Sequence, residues 1–69
     1  MFNDLPAYYE MGNLVACAVR ERDASRAKHH IINYRKMLRL ESAEDRVKAE
    51  ASYKEGYRNE SNIPPAPFK

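Results

Sequence analysis

Two apolar stripes in this chain lie out of phase with each other, and that mismatch restricts the fold more than any other feature. Placed at about 100° per residue, Tyr8, Met11, Leu14, Val15 and Ala18 gather on one side of a helix. Ala27, Ile31, Tyr34 and Leu38 also gather, spaced i, i+4, i+7 and i+11. The second set sits roughly 150° away from the first when the count is carried through. One straight helix would therefore expose apolar side chains on nearly opposite faces. A reversal between Arg20 and Arg26 brings both stripes to a shared interior.

The residues around this reversal set the expected elements. Helix formers dominate from Pro6 to Arg58, with Gly12 the least suited of the early residues. Pro6 fits a first helical turn, where its missing N–H is not needed, and Asn3 or Asp4 can cap that start. A first helix is expected over 5–22 and a second over 24–40, capped by Asp23 or Ser25. Ser42-Ala43-Glu44-Asp45 then reads as a new start, with acids in the turn where the helix dipole favours them. The third helix, over 43–58, is weakly amphipathic. Its apolar residues are Ala43, Val47 and Ala51, with Ala49, Tyr53 and Tyr57 on a neighbouring face and Gly56 near its end. A continuous second and third helix is the alternative, giving a hairpin with one long arm. The expected class is all-α: a helical hairpin or three-helix unit in one domain over 1–60, self-associating into a helical bundle. The proline-rich segment 61–69 is expected as an extended, disordered tail.

Size and charge narrow the function classes. A chain of 69 residues holds one domain, and so small a core supplies roughly 3–5 kcal/mol without a staple. Cys17 is the only cysteine, so no disulfide forms within one chain. It sits in the run Leu14-Val15-Ala16-Cys17-Ala18-Val19, reads as a small buried hydrophobe, and points to a reducing compartment. No secretory signal is visible, and no apolar run approaches the ~18 residues of a membrane span. A cytoplasmic protein without membrane partners is expected. Net charge is +2 but unevenly spread. Residues 20–40 carry Arg20, Arg22, Arg26, Lys28, Arg35, Lys36 and Arg39 against Glu21 and Asp23 only, which makes the middle a candidate anion-facing block.

No arrangement of chemistry-bearing residues points to catalysis. His29 and His30 are adjacent, so on a helix they point about 100° apart and cannot chelate one ion together. One is expected to flank the core and the other to face solvent. Cys17 lies among apolar neighbours without a local base, which predicts an inert thiol. With only Gly12 and Gly56 there is no glycine-rich phosphate loop. No enzyme activity, metal or cofactor is expected.

Two surfaces remain as candidates. Arg22, Arg26, His29, Asn33 and Lys36 fall on one side of the second helix, opposite its apolar stripe, and form a candidate anion or nucleic-acid face. Lys28, Arg35 and Arg39 widen it on one flank. Tyr8, Tyr9, Ile32, Met37 and Leu40 exceed what two or three short helices readily cover, and form a candidate self-association or partner face. Pro64 and Pro67 give a P-x-x-P spacing of the kind that docks on aromatic grooves. Asp23-Ala24-Ser25-Arg26-Ala27 with Tyr34-Arg35-Lys36-Met37-Leu38-Arg39-Leu40 resembles the turn and second helix of a tetratricopeptide unit. The gap between the two pieces is longer than in that family, Arg22 stands where its glycine would, and the resemblance implies no more than a helical hairpin. The expected function is that of a small non-enzymatic regulatory or adaptor protein, of the kind phage and bacterial accessory genes encode, acting on a protein partner. Nucleic-acid binding through the second helix is the alternative.

Overall fold

The computed structural model describes residues 4–62, and the segment from Ile63 to Lys69 lies outside the described residues. Within them the chain forms three helices and no strand: α1 (Leu5–Arg20), α2 (Ala24–Arg39) and α3 (Ala43–Ser61). The reversal required by the two stripes is present, and α2 and α3 are separate helices. The third helix runs three residues further than expected, through Ser61 to a cap at Asn62. The expected tail therefore begins no earlier than Ile63.

Each helix end has a local cause. Pro6 sits in the first turn of α1, where Asp4 occupies the cap position, but the Asp4 side chain makes no capping bond. Its carbonyl accepts from Tyr8 N–H at 3.1 Å. Helix α1 stops two residues early because Arg22 adopts a left-handed conformation with φ 57°. Asp23 N–H then bonds to the Ala18 carbonyl at 2.8 Å and Arg22 N–H to the Val19 carbonyl at 3.0 Å. This pair of bonds is the Schellman ending, which usually places glycine where Arg22 stands. Asp23 caps α2, its Oδ1 accepting from Arg26 N–H at 3.0 Å. Ser42 caps α3 by accepting from Asp45 N–H at 3.2 Å, with Glu44 and Asp45 in the favoured first turn.

The helices run up, down and up, as short connections dictate. Helices α1 and α3 are parallel, because their cross-links climb both chains together. Ser52 Oγ donates to the Leu5 carbonyl at 2.7 Å, Asn13 Nδ2 to the Gly56 carbonyl at 2.6 Å, and Arg20 Nη1 to the Glu60 carbonyl at 2.9 Å. Two glycines govern this seam. A Cβ on Gly12 would fall on the Tyr53 carbonyl oxygen and lie 2.7 Å from Tyr57 N. A Cβ on Gly56 would fall on the Tyr9 carbonyl oxygen, with its carbon 2.9 Å away. The two backbones touch where both residues lack side chains, which accounts for a pair of poor helix formers inside helices.

The core lies between all three helices. Tyr8 is fully buried together with Ala18 and Ala49, and Met11, Val15 and Ala16 are nearly so. Around Tyr8, Met11 and Ala49 pack Tyr34, Met37, Leu38 and Tyr53. The Tyr34 and Tyr53 rings stack at 3.8 Å, and Tyr8 meets Tyr34 edge-on at 6.0 Å. The Tyr8 hydroxyl donates to Glu41 Oε2 at 2.8 Å, so the buried phenol is satisfied at the α2–α3 turn. Leu14, expected in the α1 stripe, is 38 % exposed. Gly12 and Ala16 are buried in its place, because α1 needs a second inward face for α3. On α3 the buried side is that of Ala49, Tyr53, Gly56 and Tyr57, leaving Val47 exposed.

Candidate partner-binding surface

Helices α2 and α3 each pack along α1 but scarcely meet one another, Tyr34 stacking on Tyr53 where they do. Towards Ala24 and Ser61 they diverge. The resulting wedge holds two depressions that share Val19 and Ile31, each about 600 Å³ in volume. Its floor is aliphatic: Val15 and Val19 from α1, Ala27, Ile31 and Ile32 from α2. Val19 is 50 % exposed and Ile32 42 % exposed, high for large aliphatic side chains on adjoining helices.

The walls of the wedge are charged with one sign. Arg22, Lys28 and Arg35 stand on the α2 side, Lys54 and Arg58 on the α3 side, and Asp23 is the one acid among the lining residues. Its Oδ1 is engaged in capping α2. Among the described residues none of these five bases takes part in an ion pair. Three of the described bases outside the wedge are engaged: Arg20 pairs with Glu60 and Arg26 with Glu21, each at 2.6 Å, and Arg46 donates to the Glu41 carbonyl at 3.2 Å.

The residues singled out in the sequence distribute unevenly over this structure. Of the candidate partner face, Tyr8 is not a surface residue, since it sits at the centre of the core. Met37 is half-buried against the same cluster. Both pack against Ala49 of the third helix, so three short helices cover more of these side chains than expected. Tyr9 is half-buried on the α3 seam, its hydroxyl accepting from Asn59 Nδ2. Ile32 stays exposed in the wedge and Leu40 is 86 % exposed at the end of α2. The five therefore do not form one face. Val19, the most exposed of the aliphatic side chains in the wedge, escaped the sequence reading because it sits at the edge of the α1 stripe. Only the short α1 and the splay of α2 leave it uncovered.

On the anion face, Arg26, His29, Asn33 and Lys36 are exposed along α2, while Arg22 belongs to the preceding turn. Arg26 is already engaged, with Glu21 at 2.6 Å and Asp23 at 3.9 Å. Its guanidinium, followed by the Cys17 thiol, holds the Glu21 carboxyl below the usual carboxylate range. Cys17 itself corrects the sequence reading. It is half-buried rather than buried, its thiol donates to Glu21 Oε2 at 3.5 Å, and Arg26 Nη2 approaches its sulfur at 4.0 Å. His30 is half-buried and His29 exposed, with the two rings edge-to-face at 5.6 Å. No three His, Cys, Asp or Glu side chains converge among the described residues. No helix there is long and apolar enough to cross a membrane.

No family model, curated protein or solved structure matches the chain.

Proposed function

We propose that this chain is a small non-enzymatic binding module, regulatory or adaptor in role, that engages a protein partner through the α2–α3 wedge. The observation that carries this reading is the uncovered aliphatic floor around Val19, Ile31 and Ile32, at the place where two helices of a three-helix unit fail to close. Apolar surface gains roughly 25 cal/mol per Å² on leaving water, so an open cleft of this kind favours a protein ligand. Self-association is the other occupant that the same surface admits.

Paired affinity captures from cell lysate test the reading, one with the parent chain and one with the double variant Val19→Glu, Ile32→Glu. Both side chains are about half exposed and neither belongs to the buried core, so the variant keeps its helical circular dichroism. A protein retained stoichiometrically by the parent and lost by the variant supports the reading. Equal capture by both refutes it. The solution mass of each protein reports self-association directly. The runner-up, nucleic-acid binding along His29, Asn33 and Lys36, draws on their shared exposed face. It demands an affinity that falls steeply with salt.

A further inference from the structure

We propose that the occupant of the wedge is a single amphipathic helix of about three turns, apolar along one face and acidic on its flanks, docking as the fourth member of a bundle. The proposal rests on the wedge being the partner surface and adds the chemistry of the partner.

Geometry gives the shape. In a four-helix bundle each helix has two close neighbours, with axes 8–10 Å apart. Here α1 has both of its neighbours, whereas α2 and α3 each have α1 and scarcely touch one another, leaving the wedge between them open. The open corner lies opposite α1. Its α2 wall runs from Ala24 to Arg35, roughly 17 Å of helix at 1.5 Å per residue, which sets the length of the missing member.

Side-chain chemistry gives the sequence. The floor is made of valine, isoleucine and alanine, which accept leucine-like side chains and offer no hydrogen bond to a base edge. The Tyr53 ring is stacked on Tyr34, which removes one of its faces as a platform for a nucleobase. Bases line both walls, so a helix entering between them meets positive charge on its two flanks. Burial, and then the neighbouring Tyr57, raise the Tyr53 phenol, and the Arg35 charge reaches across from α2 to oppose them. A second copy docking through the same surface would set these bases against their own equivalents, so like charge opposes a symmetric pair.

Four synthetic ligands titrated into the full chain at low and moderate salt, followed by amide chemical shifts, test the proposal. They are a leucine-faced peptide with glutamate flanks, the same peptide with lysine flanks, a scrambled glutamate peptide of equal composition, and a single-stranded oligonucleotide. Vesicles of anionic and zwitterionic phospholipid form a fifth arm. The expected result is that the glutamate-flanked peptide binds at least tenfold more tightly than the other ligands, with shifts centred on Val19, Ile31, Ile32 and Tyr57. The triple variant Arg35→Glu, Lys54→Glu, Arg58→Glu should then prefer the lysine-flanked peptide. Equal binding of the scrambled peptide, no preference between flanks, or tighter binding of oligonucleotide or vesicles at these residues overturns the proposal. Loss of flank preference alongside lysate capture that still depends on Val19 and Ile32 removes the partner chemistry and leaves the partner surface standing. Capture that ignores both residues removes the two together.

Discussion

Replacing Gly12 by alanine should destabilise this protein markedly, although the same change in an isolated helix would help it. Alanine is the better helix former by about 1 kcal/mol. At Gly12, however, the added methyl meets the backbone of α3, reaching the Tyr53 carbonyl and lying 2.7 Å from Tyr57 N, where ordinary contact begins at 3.4 Å. Neither atom is the end of a flexible side chain, so relief requires the helices to separate. Separation loosens the bonds that cross the same seam, from Asn13 to the Gly56 carbonyl and from Ser52 to the Leu5 carbonyl. Overpacking of this kind costs roughly 1–3 kcal/mol, and a rigid backbone obstacle puts the cost at the upper end. After the helix-propensity gain, the net loss is about 2 kcal/mol. Set against the roughly 3–5 kcal/mol that so small a core supplies, this should lower the melting temperature by about 8–16 °C. Thermal and urea unfolding followed by circular dichroism measure it. Gly56→Ala meets the Tyr9 carbonyl and should behave alike, and the double variant should lose less than the two losses combined, because one separation accommodates both methyls. A Gly12→Ala protein that melts at or above the parent temperature would show that the helices do not touch at these glycines.

Two further outcomes follow from the turn and from the tyrosines. Arg22→Gly should stabilise the fold by about 0.5–1 kcal/mol, since the relief of left-handed strain at φ 57° outweighs the freedom that glycine adds to the unfolded chain; a lower urea midpoint would contradict the Schellman ending. Burial pushes the Tyr34 phenol up to about 12 from 10.0, aided by the nearby Glu50 charge. Burial and then the Glu41 hydrogen bond raise Tyr8 as well. The unfolded chain therefore releases these protons at lower pH than the folded one, so the associated stability is complete below pH 10.0 and falls as pH rises towards about 12. The urea midpoint should decline over that interval with the tyrosinate band growing as the helices melt, and a midpoint independent of pH there would exclude the buried tyrosine cluster.

The local grammar of the chain was legible in advance. The start signal at Ser42 depends on neighbours within one helical turn, so a linear reading reaches it, whereas Asp23 and Ser25 are equal candidates in the sequence for the second cap and only the structure separates α2 from α3. The phase of the Ala27, Ile31, Tyr34 and Leu38 stripe was enough to require a folded-back second helix. Which residues became interior or surface was decided at longer range. Gly12 and Gly56 read as weak points in their helices, and only the parallel packing of α1 on α3 turns them into places where a side chain would strike the facing backbone. Tyr8 fitted both the apolar stripe of α1 and the candidate partner face, and only the packing of all three helices, with the distant Glu41 carboxylate on its hydroxyl, made it interior. The wedge depends on the angle at which α2 and α3 part, and that angle is set by the sum of packing along α1. No single stretch of sequence carries such a sum, because burial is shared among residues that are neighbours only after the chain has folded.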